Sequence, residues 1–214
     1  MEWELFADVP AEDVTRLLAI ARRRTFDRGE IVFHRGDPAN ALHLIVKGRF
    51  AVRITTPLGE TATLAVRGPG DAFGELALVS GSEALRSATV AALEPGETRS
   101  VLRDDFTRLR REHPGVDAVL IAILADRVRH LSEELTEAYY LSAEKRVLHR
   151  LGGLAELYGK LVPLCQEDLA ELAGTSRATV NRVLREQQQR GTLELGRSKI
   201  VVLDAEALRP RSPV

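Results

Sequence analysis

After Pro114 the chain continues for about 26 residues without a helix breaker, and its apolar residues follow a regular pattern. They recur at spacings of three and four with charged residues around them, as in a parallel coiled coil. This heptad seam consists of Ile121, Leu124, Val128, Leu131, Leu135 and Ala138. We therefore expect a dimerisation helix over residues 114–142, with the proline in its first turn, where proline is tolerated. The alternative is a helix packed on its own β-domain, which would also show an apolar stripe.

The part of the chain before this helix is rich in short β-type runs separated by glycines. Runs such as LHLIVKG and TATLAVRG lie between Thr25 and about Leu102. Short strands at regular spacing are typical of a closed antiparallel β-roll or sandwich. An amphipathic helix over residues 9–24, with three arginines at its C-terminal end, is predicted to precede them. The fold class is therefore predicted to be α+β, with residues 1–113 as a jelly-roll-like β-roll domain with flanking helices.

The segment QEDLAELAGTSRATVNRVLREQ, which begins at Gln166, has the pattern of a helix-turn-helix. Ala170 is small enough for two helices to cross closely, and Gly174 suits the positive φ of a short turn. Ser176 can cap the second helix, whose N-terminal N–H groups then face outward. The hairpin pattern LELGRSKIVVL follows as a wing. Residues 143–214 are therefore predicted to form a winged helix-turn-helix domain, the alternative being a helical hairpin with solvated arginines.

The second helix and the wing present side chains suited to DNA. Arginine matches the acceptors of guanine and asparagine matches adenine in the major groove, while wing residues can contact phosphates. The predicted DNA-binding residues are Gln166, Ser176, Arg177, Ala178, Thr179, Asn181, Arg182, Arg185, Arg197 and Lys199. Residues 145–214 carry 12 Lys/Arg against 8 Asp/Glu, a net charge of +4, whereas the preceding residues carry −5. A basic C-terminal part is consistent with a polyanionic partner there.

A second motif, GDAFGELALVSGSEALRSATV, lies in the β-rich part. It combines a glycine-rich turn at Gly74 and Glu75 with Arg86 and Ser87 eleven and twelve residues later. An arginine can clamp a phosphate in a bidentate manner, and turn amides can bind the same anion. A carboxylate beside a phosphate site suits a neighbouring hydroxyl, so a cyclic phosphate next to a ribose 2′-OH would fit. The alternative is a purely structural salt bridge between Glu75 and Arg86.

In the order of these parts the chain resembles, nearly end to end, the cyclic AMP receptor protein/FNR (Crp/Fnr) family of bacterial transcription regulators. FGELAL followed by RSA is similar to the family's phosphate-binding cassette, and SRATVNRVL is similar to its recognition helix. The resemblance implies a homodimer that binds a palindromic operator in double-stranded DNA, with RNA polymerase as a further partner. It also implies cyclic AMP as an allosteric ligand. The ligand-binding residues would be Gly74, Glu75, Leu76, Arg86, Ser87, Leu131 and Ser132.

Three residues depart from the family's pattern. Leu131 stands where cyclic AMP-responsive members often carry a threonine that bonds the base. In the recognition helix, Ala178 replaces a common glutamate, and Asn181 replaces a small residue. We therefore expect a half-site related to the best-known family consensus but not identical to it.

Composition argues against several other classes of protein. A single cysteine, Cys165, excludes an iron–sulfur cluster or multi-cysteine zinc site within one chain, and the five histidines form no recognisable metal or haem ligand set. No catalytic residues are predicted, because no nucleophile–base pair or paired carboxylates are visible. Without a membrane-length apolar run or a signal peptide, a cytoplasmic location is expected. Two alternatives remain: a regulator of this architecture that binds DNA without ligand, and a cyclic-nucleotide-binding regulatory subunit acting through a protein partner.

Overall fold

The computed structural model describes residue 6 and residues 9–55, 61–81, 83–196 and 199–208. The chain divides into two compact units. One comprises Met1–Thr56 with Ala65–Leu131, and the other comprises Pro57–Leu64 with Ser132–Val214. Antiparallel sheets, a long helix and a C-terminal helix-turn-helix follow one another along the chain, which confirms the predicted α+β class.

The first eight strands form two four-stranded sheets. They are β1 (Arg22–Phe26), β2 (Ile31–Phe33), β3 (Ala41–Lys47), β4 (Phe50–Thr55), β5 (Thr61–Arg67), β6 (Ala72–Phe73), β7 (Thr89–Ala92) and β8 (Gly96–Leu102). The strand order is β1-β8-β3-β6 in one sheet and β2-β7-β4-β5 in the other. An apolar core takes residues from both sheets, among them Phe26, Phe50 and Phe73. Strands far apart in the sequence are thus neighbours, as a β-roll requires.

Three helices accompany these strands: α1 (Ala11–Ile20), α2 (Leu76–Val79) and α3 (Arg103–Glu112). The helix predicted over residues 9–24 was too long, because it ends at Ile20 and its three arginines lie on β1. The backbone of Arg22–Phe26 pairs with β8, and Phe26 is buried in the core. Pairing with a strand more than seventy residues later in the chain outweighs the local helical pattern here.

The long helix α4 (Asp117–Tyr140) follows a short 3₁₀ turn at Pro114–Val116. Its buried residues are Val119, Leu120 and Ile123, which join the core around Leu17 and Phe106. The heptad seam is a different stripe. Four of its members are 53–65% exposed (Ile121, Val128, Leu131 and Leu135), Ala138 is exposed and Leu124 is half-buried. Most of the seam is therefore exposed on the single chain, although Leu124 packs against the core that Val119, Leu120 and Ile123 share with the β-domain. Dimerisation through the seam stays a prediction.

The second unit contains the remaining elements. They are α5 (Ala143–Tyr158), β9 (Leu161–Val162), α6 (Gln166–Ala173), α7 (Arg177–Gln189), β10 (Leu193–Gly196) and β11 (Lys199–Val202). The strands form a sheet of order β10-β11-β9, so the hairpin predicted after the second helix is present. Leu151, Leu169 and Leu184 are fully buried. None of the helices in the described ranges combines the length and the hydropathy needed to cross a bilayer.

Candidate ligand site and DNA-binding surface

The turn between β6 and α2 requires glycine at position 74. Gly74 has a φ of 79°, a conformation that residues with a Cβ rarely adopt. A Cβ there would also lie 2.6 Å from Nη1 of Arg86 and 2.9 Å from the carbonyl oxygen of Ala41. The absence of a side chain therefore allows the guanidinium of Arg86 to approach the turn, and Nη1 lies 3.5 Å from the carbonyl oxygen of Gly74.

Arg86 is a buried cation with incomplete hydrogen bonding. It is 6% exposed, its Nη1 donates to the carbonyl of Ala41 at 2.8 Å, and its Cζ lies 3.9 Å from the ring centroid of Phe33. Burial lowers the pKa of Arg86 to about 10, and the positive charge of Arg103 adds to this effect. Among the described residues, its buried Nε has no acceptor. Since a buried donor without a partner is costly, this site suits an anion that supplies further acceptors.

Glu75 is also only 6% exposed, and its ion-pair partner is on the long helix. Its Oε1 lies 3.3 Å from Nε of Arg127, whose Nη2 lies 3.4 Å from the carbonyl oxygen of Ala72. Within the described ranges Glu75 forms no ion pair with Arg86, so the alternative of a Glu75–Arg86 salt bridge is wrong. Sequence reasoning assigned Arg127 only to the charged surroundings of the seam. Its position one helical turn before Leu131 was the available signal.

The other predicted ligand residues are more open. Ser87 is exposed beside Arg86, and Leu76 is 43% exposed at the start of α2. Leu131 is the last residue of the first unit, and Ser132, also exposed, is assigned to the second. In the first unit, the structure thus brings Gly74, Glu75 and Arg86 together and adds Arg127, while the roles of Ser87, Leu76, Leu131 and Ser132 stay predictions.

The helix-turn-helix has the local geometry that its sequence predicts. Gly174 adopts φ 57° and ψ 49°, and its N–H bonds to carbonyls at the end of α6. Oγ of Ser176 accepts the backbone N–H of Thr179 at 3.2 Å, so α7 begins with a capped first turn. Ala170 and Val180 are both buried, as two closely crossing helices require. These contacts set the orientation of α7 within its domain.

The outer face of α7 carries most of the predicted DNA-binding residues. Arg177, Ala178, Arg182 and Arg185 are exposed, whereas Asn181 is half-buried and its Nδ2 donates to Oε1 of Gln166 at 2.9 Å. Thr179 is half-buried, and Ser176 and Lys199 are exposed. Arg177, Asn181, Gln166 and Lys199 all line one cleft of about 460 Å³. Arg197 lies outside the described residues.

Three ion pairs on this face were not anticipated. Nη2 of Arg182 lies 2.5 Å from Oε1 of Glu144 on α5, and its Nη1 lies 3.0 Å from Oε1 of Glu186 on α7 itself. The hydrogen bonds of these carboxylates, that of Glu144 first, raise the pKa of Arg182. Arg177 lies 3.6 Å from Glu167. Glu144 is 38 positions before Arg182, and no sequence pattern connects residues at such a separation.

No group of three or more His, Cys, Asp or Glu side chains in the described part of the chain is arranged to hold a metal ion. Cys165 is half-buried at the N-cap of α6, where burial raises the pKa of its thiol. His43 is buried between aromatic rings of the β-roll.

Comparisons with known proteins match two parts of this chain to known domains. Residues 23–113 match the family model of the cyclic nucleotide-binding domain, and residues 145–211 match the Crp-like helix-turn-helix domain. The cyclic AMP receptor protein of Thermus thermophilus is 36% identical over 95% of this chain and 94% of its own. A CRP-like cAMP-activated global transcriptional regulator of Mycobacterium tuberculosis is 29% identical over 97% of this chain and 96% of its own.

A solved structure shows the same fold. The c-di-GMP responsive global regulator CLP of Xanthomonas campestris superposes with a TM-score of 0.77 at 23% identity, over 90% of this chain and 99% of that one. The relative from Mycobacterium tuberculosis, which matches over nearly its full length, is named as a transcriptional regulator. With a cyclic nucleotide-binding domain followed by a Crp-like helix-turn-helix, this chain belongs to the Crp/Fnr family of DNA-binding transcription regulators.

Proposed function

We propose that the protein is a cytoplasmic, homodimeric regulator whose affinity for a palindromic operator is controlled by cyclic AMP. Residues 1–113 would sense the ligand, residues 114–142 would form the dimer, and residues 143–214 would bind DNA, with RNA polymerase as a further partner. The observation that supports the ligand most directly is the buried guanidinium of Arg86 with its unmatched Nε. The cyclic AMP-related names of two relatives support the choice of nucleotide.

In this proposal each group of the cassette has a separate task. The cyclic phosphate binds Arg86, the hydroxyl of Ser87 and the backbone N–H groups at Gly74 and Glu75. The carboxylate of Glu75 accepts a hydrogen bond from the ribose 2′-OH, and Arg127 orients that carboxylate. A phosphate anion also compensates the buried charge of Arg86, which the described carboxylates only partly do.

The base would lie against the long helix. Leu131, which replaces the threonine of many cyclic AMP-responsive members, offers only apolar contact, so the hydroxyl of Ser132 is the remaining donor and acceptor for adenine. We therefore expect cyclic AMP to bind more weakly than in relatives that carry the threonine, and Leu131→Thr to tighten its binding.

The exposed heptad seam supports a second copy of the chain as its partner. Its residues would otherwise leave a long apolar stripe in water, and such stripes usually mark interfaces. Parallel pairing of two α4 helices places two identical DNA-binding domains side by side, so that each recognition helix can enter the major groove about one DNA turn, roughly 34 Å, from the other. A two-fold symmetric protein then reads a palindrome.

The proposed control of DNA binding is allosteric. Cyclic AMP contacts Glu75, and Glu75 holds Arg127 of α4, so the ligand can change how α4 is held. Only two residues, Leu141 and Ser142, lie between the end of α4 at Tyr140 and the start of α5 at Ala143, and the proposed hinge is at residues 142–146. The ligand shifts the equilibrium by its differential affinity for two states of the dimer, typically about 1–3 kcal/mol.

Isothermal titration calorimetry with cyclic AMP tests the ligand assignment, with cyclic GMP and cyclic di-GMP as controls. We expect selective binding of cyclic AMP and its loss in Arg86→Leu, with thermal unfolding used to confirm that the variant is folded. No heat with any nucleotide at several temperatures would favour the regulator that binds DNA without ligand. If the protein selectively bound cyclic di-GMP, the ligand named for the regulator from Xanthomonas campestris, the proposed ligand would be cyclic di-GMP and not cyclic AMP.

A binding experiment with an operator selected from random duplexes tests the DNA assignment. We expect palindromic sites, and loss of binding when Arg177→Ala and Arg182→Ala are combined, because the two arginines would read guanines in each half-site. Cyclic AMP binding that persists without any DNA preference in the wild-type protein would instead support the regulatory subunit that acts through a protein partner.

A further inference from the structure

Within the described ranges, Arg182 of α7 is held between two carboxylates, unlike Arg177 and Arg185 on the outer face of the same helix. Its two terminal nitrogens contact different helices: Nη2 lies 2.5 Å from Glu144 on α5, and Nη1 lies 3.0 Å from Glu186 on α7. Arg177, in contrast, lies 3.6 Å from Glu167, which is beyond hydrogen-bonding distance. The structure therefore orders one of the two proposed base-reading arginines before DNA arrives.

Glu144 is carried by a segment that is itself fixed to the helix-turn-helix. It is the second residue of α5, whose first turn is capped by Ser142. Two residues later, Arg146 donates from Nε to the carbonyl of Ala173 at 2.9 Å and from Nη2 to that of Gly174 at 3.1 Å. These bonds attach the start of α5 to the turn between α6 and α7. The carboxylate of Glu144 is thus held in a defined place relative to Arg182.

Such a contact has a direct consequence for base recognition. An unrestrained arginine loses side-chain freedom when it binds a base edge, and prior ordering reduces that loss. The two carboxylates bond to two of the five N–H donors of Arg182, so donors remain for O6 and N7 of a guanine. Position 178 of the recognition helix is an alanine and supplies no carboxylate. Glu144 on α5 places a carboxylate beside Arg182 from outside that helix.

We propose that Glu144 is a specificity-determining positioning residue, which orients Arg182 toward one guanine of each half-site. The proposal rests on the function proposed above, in which Arg182 reads a base. It adds a residue outside the recognition helix to the set that determines the operator sequence.

Glu144→Gln tests this role against a closely matched control, Glu167→Gln. Both glutamates are the second residue of a helix, both lie near a recognition arginine, and each substitution removes one negative charge. The operator is selected from a random duplex library with the full-length wild-type protein, with and without cyclic AMP. Binding of each variant to this operator and to its single-base variants is then followed by fluorescence anisotropy.

We expect Glu144→Gln to lower discrimination at one guanine per half-site by about tenfold, a factor within the range of a bidentate arginine–guanine contact. The affected position should be the one at which Arg182→Ala also loses preference, while the remaining positions keep theirs. Glu167→Gln should keep preference at every position. Both glutamine variants lose one negative charge, so both can bind all DNA more tightly. Such a general gain in DNA affinity would not produce a loss of preference at a single base.

Three outcomes would overturn the proposal. In the first, Glu144→Gln retains the wild-type preference at every base. In the second, it binds all DNA more tightly with unchanged preference, which would make Glu144 only an electrostatic competitor of phosphate. In the third, the wild-type protein shows no sequence preference, which also removes the proposed function. Thermal unfolding controls for stability, and Glu144→Ala repeats the test with the residue that best favours a helix.

Discussion

Burial determines which side chains of the β-roll can carry charge, and His43 is the clearest case. Its ring stacks on Phe73 with a centroid separation of 5.0 Å, and its Nδ1 lies 3.1 Å from Oγ1 of Thr98. Burial lowers the pKa of His43 to about 3, and the positive charges of Arg86 and Arg24 add to this effect. The imidazole therefore remains neutral in the folded protein at every pH near neutrality.

This neutral histidine predicts a loss of stability in mild acid. The folded-state pKa of about 3 lies below the ordinary value of 6.5, so the unfolded chain binds a proton that the folded chain does not. The stability that the neutral form of His43 contributes is fully present above pH 6.5. It is lost as the pH falls toward 3, by at most about 1.4 kcal/mol per pH unit. Between about pH 7 and 5.5, denaturant unfolding should show the wild type losing about 1 kcal/mol more than His43→Gln. Equal losses would contradict the prediction.

Gly74 is a second residue whose effect is predictable, because space and backbone conformation both require glycine. In Gly74→Ala, a positive φ strains the backbone by about 1–2 kcal/mol, and the new methyl displaces Arg86. Gly29→Ala is the matched control, since its φ is 83° and a methyl group there would meet no atom within 4 Å. Both variants should unfold at lower temperature. Only Gly74→Ala should lose cyclic AMP binding, by calorimetry, and a similar loss in Gly29→Ala would argue against a local effect.

Among the elements, α4 shows how one helix can serve two interfaces. Val119, Leu120 and Ile123 are buried in the first unit, whereas the heptad seam is left exposed on another side. An ordinary amphipathic surface helix has one apolar stripe, which faces its core. The additional stripe is therefore the reason for proposing that α4 has a partner.

A charge in the seam should dissociate the dimer. In the proposed dimer, Leu135→Glu replaces one leucine of the seam in each chain and brings two carboxylates together, so we expect a cost of about 3 kcal/mol, or about 100-fold in the dimer dissociation constant. Sedimentation velocity over a range of concentrations measures it. Thr136→Glu adds the same charge beside the seam and should leave the association unchanged. A Leu135→Glu protein that sediments as the wild type would contradict the assignment.

How far the sequence predicts these elements depends on the range of the contacts that determine them. The heptad spacing of α4, the glycine at 174 and the cap at Ser176 are local patterns, and the helices predicted from them are observed. The arginines at 22–24 were assigned to a helix because their pairing with β8 is invisible in their own neighbourhood.

The candidate sites divide in the same way. The motif of Gly74, Glu75 and Arg86 is compact enough to be recognised in the sequence, but the partners that complete it are not. Arg127 is 52 positions from Glu75, and Glu144 is 38 from Arg182. Such pairs form only when the backbone brings distant elements together. A single sequence therefore shows the binding side chains but not the residues that orient them.

At the scale of the whole molecule, the two candidate sites lie in different units, and α4 contributes residues to both units. In the proposed mechanism, a ligand at the cassette acts on α4 through the contact between Glu75 and Arg127. Whether this contact couples the two sites can be measured by removing it.

Thermodynamic linkage requires that the coupling measured from the ligand side equals the coupling measured from the operator side. If cyclic AMP raises operator affinity by a given factor, operator must raise cyclic AMP affinity by the same factor, typically about 5–150-fold. Arg127→Gln should reduce both factors together toward one, because the ligand would no longer act on α4 through Glu75. Calorimetry with and without operator, and anisotropy with and without cyclic AMP, supply the four constants. Arg129→Gln, which removes an exposed arginine of α4 paired with Asp126, should retain the wild-type factors. Full coupling in Arg127→Gln would show that the signal reaches α4 by another route.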